Sequence, residues 1–223
     1  MNPAASPAAA PPSSRERMIE AAIQLLRGTG LTGAGINQVI AASGAPKGSM
    51  YHHFPGGKME LAQAALERYG ERVAQRLAAE MAGPAPAAEK IRGIFNASAK
   101  ALAHGQYVRS CGIGAVTLDL DEEATALAPV CARVLASWQA AVAGGLTDIP
   151  EPRRGELARF VITNLQGGQI QSRAARDPRT LLEAGALTAE LIALALPEPD
   201  HARANPPAQP GSQYDPRGPR KSH

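Results

Sequence analysis

The run Gly44-Ala45-Pro46-Lys47-Gly48-Ser49-Met50-Tyr51-His52-His53-Phe54, preceded by two segments of apolar periodicity, most narrows what this chain can become. Upstream of it, Met18, Ala21, Ala22, Leu25 and Leu26 recur at intervals of three and four, the spacing of one helix face. Ser13 followed three residues later by Glu16 fits a capping box and opens that helix. Gly28-Thr29-Gly30 is expected to stop it. A short second helix over about 35–42 turns Ile36, Val39 and Ile40 inward, and Ser43-Gly44-Ala45 is the turn. A third helix over about 46–53 starts on Pro46, which the first turn tolerates because its missing amide hydrogen has no intrahelical acceptor there. Pro55-Gly56-Gly57 then breaks the chain. Helices this short are marginal alone. They persist if Leu25, Ile36, Val39, Ile40, Met50 and Phe54 share a miniature core. The result is a helix-turn-helix whose last helix is small, polar and basic, a shape that enters a DNA major groove.

Such packing leaves Lys47, Ser49, Tyr51, His52 and His53 facing outward. Lys47 is expected in the first turn, where a cation opposes the helix dipole and a phosphate or a guanine edge would compensate. Gly48 permits close backbone approach, and the Tyr51 hydroxyl on its rigid ring suits a phosphate oxygen. Lys58 opens the next helix and can hold a further phosphate. Asn37 and Gln38 on the second helix either reach phosphate or face solvent. Each residue has a plainer alternative: a solvated lysine, a tyrosine packed on the small core, adjacent histidines of which one contacts DNA and the other packs. His52 and His53 point in different directions and have no further ligands around them, so no metal site is expected.

The 223 residues leave room for one or two domains. With 3 Phe, 4 Tyr and 1 Trp, the core must be built from Ala, Leu, Val and Ile. Formal net charge is +3; residues 1–60 carry a balance of +2, residues 61–199 a balance of −1 and residues 200–223 a balance of +2. A basic first module suits a polyanion, although an ordinary solvated surface explains the same balance. Two cysteines, Cys111 and Cys131, make no disulfide framework and point to a reducing cytoplasm. No apolar run is expected to reach the ~18 residues of a membrane span, and Met1–Pro12 has no secretory pattern. Glu89, Asp119, Asp121, Glu122 and Glu123 form no recognisable catalytic pair, and no nucleophile elbow, phosphate loop or zinc signature is present. Neither an enzyme nor a cofactor is expected.

Residues 1–12 read as a disordered leader, 13–57 as the helix-turn-helix domain, 58–196 as a helical body and 197–223 as a disordered tail. In the body, helices are expected over 58–81, 87–104, 122–144, 153–176 and 178–196, with an irregular stretch from Gly105 to Asp121. The last two helices carry more apolar side chains than one core stripe uses: Leu157, Phe160, Val161, Leu165 and Ile170 on one, Leu181, Leu182, Leu187, Leu191, Ile192 and Leu194 on the other. Two such helices can form a four-helix arrangement across a two-fold axis, so a homodimer is expected there.

The segment from Arg17 through Leu61 resembles the N-terminal domain of TetR-family transcriptional regulators. Gly35 through Lys58 is most similar to the LmrA/YxaF-type branch, which shares an Ile-Ala-rich second helix, a glycine turn, Lys-Gly in the recognition helix, Tyr-x-His-Phe and a lysine opening the fourth helix. Trp138, Gln166-Gly167-Gly168-Gln169 and Arg173-Ala174-Ala175-Arg176-Asp177-Pro178 look like the same branch. The resemblance implies an all-α chain of about nine helices: a DNA-binding head on a ligand-binding and dimerisation domain. It also implies a homodimeric repressor on a palindromic double-stranded operator, released by a small aromatic or drug-like effector. An activator of the same fold, or a ligand-binding protein with a vestigial head, is the alternative. Pro46 and Gly35 depart from the pattern, standing where many members carry hydroxyl residues, and remove two candidate phosphate contacts. Phe95, Cys111, Ile113, Val134, Trp138, Asn164 and Gln169 are the candidate effector contacts, with plain core packing the alternative for Trp138 and Cys111, and the dimer contact for Asn164 and Gln169.

Overall fold

A computed structural model describes residues 11–122 and 124–196. The tail expected at 197–223, most of the leader and Glu123 lie outside the described residues. Helix α1 (Ser14–Gly33) opens on the capping box: Ser13 N and Oγ donate to Glu16 Oε2 at 2.8 and 2.9 Å, and Glu16 N donates to Ser13 Oγ at 3.2 Å. These bonds hold the Glu16 carboxyl below its ordinary pKa. Met18, Ile19, Ala22, Ile23 and Leu26 form its buried face. The helix does not stop at Gly28-Thr29-Gly30 as expected. It breaks at Gly30 (φ 69°, ψ −168°) and resumes for one turn, so that Leu31 is buried.

Helix α2 (Ile36–Ser43) ends on Gly44 at φ 61°, a left-handed conformation that a residue with a Cβ resists. Arg17 Nε donates to Ser43 O at 3.1 Å and ties the turn to α1. Helix α3 (Ser49–His53) is shorter than expected. Pro46, Lys47 and Gly48 form the turn that leads into it, with Ser49 N donating to Pro46 O at 3.0 Å and Met50 N to Lys47 O at 3.4 Å. Lys47 therefore precedes the helix instead of lying in its first turn. Val39, Met50 and Phe54 are buried, Leu25, Ile36 and Ile40 pack around them, and the Arg15 guanidinium lies 5.2 Å from the Phe54 ring centroid.

Helix α4 (Gly57–Ala82) has 26 residues. At 1.5 Å rise per residue it spans about 39 Å. It packs on α1 at the head and on α7 in the body. Helix α5 (Ala87–His104) lies on α9. The stretch expected to be irregular contains helix α6 (Gly112–Leu118), which packs against α1. Its start is a Cys111 cap that periodicity cannot show. A tight 3-10 turn (Ala124–Leu127) precedes α7 (Ala128–Ala143), where one longer helix was expected. Together Ala124–Ala143 have the length and mean hydropathy, 1.3, of a membrane span, but Arg133 interrupts them, and Leu127, Val130, Val134, Trp138 and Val142 are buried in the protein core. Helices α8 (Arg153–Ala175) and α9 (Arg179–Ala195) pack on each other and complete an all-α fold of nine α-helices among the described residues.

Tight contacts set the helix crossings. A Cβ on Gly70 would lie 2.5 Å from Val134 Cγ1, so α4 and α7 touch there backbone to side chain. Trp138 Nε1 donates to Gly70 O at 2.9 Å across the same crossing. In α8, a Cβ on Gly168 would lie 2.7 Å from Leu181 Cδ1, whereas nothing lies near Gly167. Buried Ser172 accepts the Leu181 amide at 3.0 Å and fixes the start of α9.

Candidate nucleic-acid interface and effector cavity

The head offers one polar surface built by its own small core. Burial of Met50 and Phe54 turns the rest of α3 outward, and Tyr51 is 62% exposed. Asn37, Pro46, Lys47, Gly48 and His52 are exposed as well. Ser49 is half-buried, with Oγ donating to Pro46 O at 2.6 Å, so its hydroxyl proton is already engaged. Gln38 is exposed, but its Oε1 accepts the Gly35 amide at 3.0 Å and closes the start of α2. Half-buried Lys58 borders a small gap with Ile36 and Leu61. The Tyr51 ring lies against the start of α4, where a Cβ on Gly57 would sit 4.0 Å from it. The His52 and His53 rings meet edge to face at 5.1 Å, and His53 is the more buried.

A cavity of about 520 Å³ opens in the body between α4, α5 and α8, within reach of α1. Of the seven residues expected at an effector site, Cys111, Trp138 and Gln169 border it. Phe95 and Ile113 do not: both are fully buried in packed core, Phe95 where Gly185 of α9 presses on it. Val134 is filled against Gly70, and Asn164 donates to Phe160 O on its own helix at 2.9 Å. Periodicity marks these positions as inward-facing without distinguishing a packed interior from a hollow one.

Several cavity residues escape sequence reasoning. Tyr69 and Val73 read as ordinary members of the α4 stripe, yet both border the cavity and are only partly buried. The Tyr69 and Trp138 rings meet edge to face at 6.1 Å. Burial around the Tyr69 hydroxyl, beside Cys111 and Gly112, holds that phenol above its ordinary pKa. Cys111 Sγ accepts from Gly114 N at 3.5 Å and from Gln166 Nε2 at 3.2 Å, so it caps α6. The Cys131 thiol is also pushed up by burial. Gln169 Nε2 contacts Ser98 Oγ at 2.6 Å, while its Oε1 is buried with no hydrogen-bond partner among the described residues. Arg27, Arg76 and Arg109 reach the wall from three different segments, so no local motif announces them.

The floor of the cavity is tied to the head. Arg27 Nε donates to Ser110 O at 3.0 Å, and Ser110 N donates back to Arg27 O at 3.0 Å. Arg109 Nη1 donates to Gln24 Oε1 at 2.9 Å, Thr32 N to Asp119 Oδ2 at 3.1 Å, and Arg173 Nη2 to Gly28 O at 3.0 Å. The second half of α1 is thus gripped by the segment around α6 and by α8.

A helix-turn-helix head mounted on a helical body with a cavity is the architecture of HTH-type transcriptional regulators. Residues 18–65 match the family described as bacterial regulatory proteins, tetR family, and residues 87–187 match the transcriptional regulator LmrA/YxaF-like C-terminal domain. The HTH-type transcriptional regulator LmrA of Bacillus subtilis is 29% identical over 181 residues, 80% of this chain and 96% of that protein. An uncharacterized HTH-type transcriptional regulator of Mycobacterium tuberculosis is 33% identical over 173 residues, 73% of this chain and 86% of the other. A TetR regulatory protein from Rhodobacter sphaeroides has the same fold (TM-score 0.71, 19% identity, covering 79% of this chain and 97% of that one). So has a cysteine mutant of the TetR-family regulator CifR solved with a 26-bp double-strand operator DNA (TM-score 0.70, 18% identity, 86% and 100%).

The chain belongs to the TetR family. The family is one of HTH-type transcriptional regulators. TetR-family proteins bind double-stranded DNA and form dimers.

Proposed function

We propose that this regulator is a repressor that binds a palindromic operator as a homodimer, with one α3 per half-site, and leaves it when a small molecule fills the body cavity. Residues 13–57 are the reading head and 58–196 the ligand-binding and dimerisation domain, working in the cytoplasm where the operator is. Asn37, Gln38, Pro46, Lys47, Gly48, Ser49, Tyr51, His52 and Lys58 are the DNA-contacting set. The observation that carries this reading is the outward display of Lys47 and Tyr51 by a head whose apolar residues are consumed in its own core. Tyr51 contacts phosphate, Lys47 takes a phosphate or a guanine edge, and His52, the more exposed of the two histidines, is the one that contacts DNA.

The dimer face lies on α8 and α9. Phe160, Ile170, Leu182, Leu187, Leu191 and Leu194 remain 38–82% exposed in the single chain, a concentration of large apolar side chains that a second copy covers. The cavity has the size of a drug-like ligand site and an aromatic wall, with Cys111, Trp138 and Gln169 among the contacts. A ligand that prefers one arrangement of α1 and α4 changes the separation of the two heads, which must match half-sites about 34–36 Å apart or a multiple of that.

Selection of bound duplexes from a random pool tests the reading. A palindromic consensus is expected, bound two chains per site. Enrichment of no sequence over random duplex would reject it.

A further inference from the structure

We propose that the effector is an aromatic organic anion, whose acidic group is taken by Arg27, Arg76 and Arg109 while its ring lies against Tyr69 and Trp138. This rests on the proposed function, in which the body cavity is the effector site. Three guanidinium groups border the cavity against one carboxylate, Glu80. Glu80 makes no ion pair among the described residues, so it does not neutralise them. Arg27 spends its Nε on Ser110 O, its terminal nitrogens make no hydrogen bond among the described residues, and its guanidinium stands 5.4 Å from the Tyr69 ring centroid. Arg109 spends Nη1 on Gln24 and keeps Nη2. Arg76 is exposed and makes no hydrogen bond among the described residues. The cavity wall thus carries an excess of cationic residues, and an anion within reach of their free nitrogens gains charge-assisted hydrogen bonds.

Gln169 also borders the cavity, with its side-chain amide held on Ser98 Oγ. A neutral hydrocarbon of the same shape leaves the guanidinium groups unpaired.

The test compares two fluorescent probes with the same aromatic body. Anilinonaphthalene sulfonate is anionic; phenylnaphthylamine is its uncharged parent, with the same bridging N–H. Both are titrated into the full chain, with operator retention followed in parallel. The anion is expected to bind at least about tenfold more tightly. Arg76→Gln combined with Arg109→Gln should cut that preference several-fold, Arg27 keeping the remainder, with helix content retained. Ala97→Trp, which fills the cavity from an exposed wall position, should abolish binding of both probes and so separate cavity binding from adsorption to the α8–α9 face. Equal affinity for the two probes, or an anion preference unchanged by the arginine substitutions, overturns the proposal. If phenylnaphthylamine alone fills the cavity and releases operator, the anion inference fails and effector-controlled repression stands. If neither probe binds the cavity, the anion inference fails independently of DNA binding. Loss of sequence-selective DNA binding in the untreated protein would instead sink the proposed function.

Discussion

Gly70 shows how one absent atom positions two helices. Its missing Cβ lets Val134 and Trp138 of α7 close on α4, and its carbonyl receives the Trp138 indole N–H. Gly70→Ala forces Val134 to move and should destabilise the protein by about 1–3 kcal/mol. Urea unfolding measures this; an unshifted midpoint would mean the crossing has slack. Tyr69, one residue earlier, carries a pH signature. Burial is the largest cause of its raised pKa, so the folded state holds the phenol proton more tightly than the unfolded chain does. The associated stability is fully present below the ordinary value of 10.0 and is lost as pH rises from there through the folded value. Tyr69→Phe should flatten that alkaline fall in an unfolding series. On the head, Tyr51→Phe removes only an exposed hydroxyl. It should weaken operator binding several-fold with thermal unfolding unchanged, and undiminished affinity would remove Tyr51 from the phosphate contacts.

At the scale of the element, α9 divides its apolar residues between two neighbours. Leu181, Ala189 and Ile192 are buried against α5 and α8, while Leu187 and Leu191 point out, 62% and 47% exposed. Leu187→Glu with Leu191→Glu should leave the helix content intact and shift the protein to monomers in sedimentation velocity, with operator affinity falling in step. Dimers that survive the pair of charges would place the interface elsewhere. Helix α1 makes a different use of a special position. Gly30 adopts φ 69° directly against the Asp119 carboxylate, so the helix bends where the body grips it. The sequence signal at Gly28-Thr29-Gly30 was a stop; the structure uses it as a kink because Leu31 still has a core to fill.

Across the whole molecule, the head and body are joined by more than the length of α4. Asp119, Arg109, Ser110 and Arg173 hold α1 by four separate polar contacts, and Arg27 and Arg109 also border the cavity. Coupling between ligand and operator requires an element whose equilibrium both sites bias. Asp119→Ala removes one of the four grips without touching cavity or operator surface. It should leave probe affinity for the cavity within about twofold in the absence of DNA while reducing the ratio of operator affinities with and without ligand. An unchanged ratio would assign the coupling to α4 alone.

Helix periods, the Ser13–Glu16 cap, the turn at Gly44 and the surplus leucines of α9 are local patterns. Each follows from spacing and backbone sterics within a few residues, so the sequence by itself determined an all-α chain with a helix-turn-helix head and two over-apolar final helices. Cys111, Trp138 and Gln169 were visible as chemically distinctive residues in that pattern. Arg27, Arg76 and Arg109 came to border one cavity only when segments more than eighty positions apart met. Whether an inward-facing residue fills a core, as Phe95 and Ile113 do, or borders a hollow, as Tyr69 does, depends on what the opposite helix brings to the same place. Packing distances across helices decide that, and no single stretch of chain contains them.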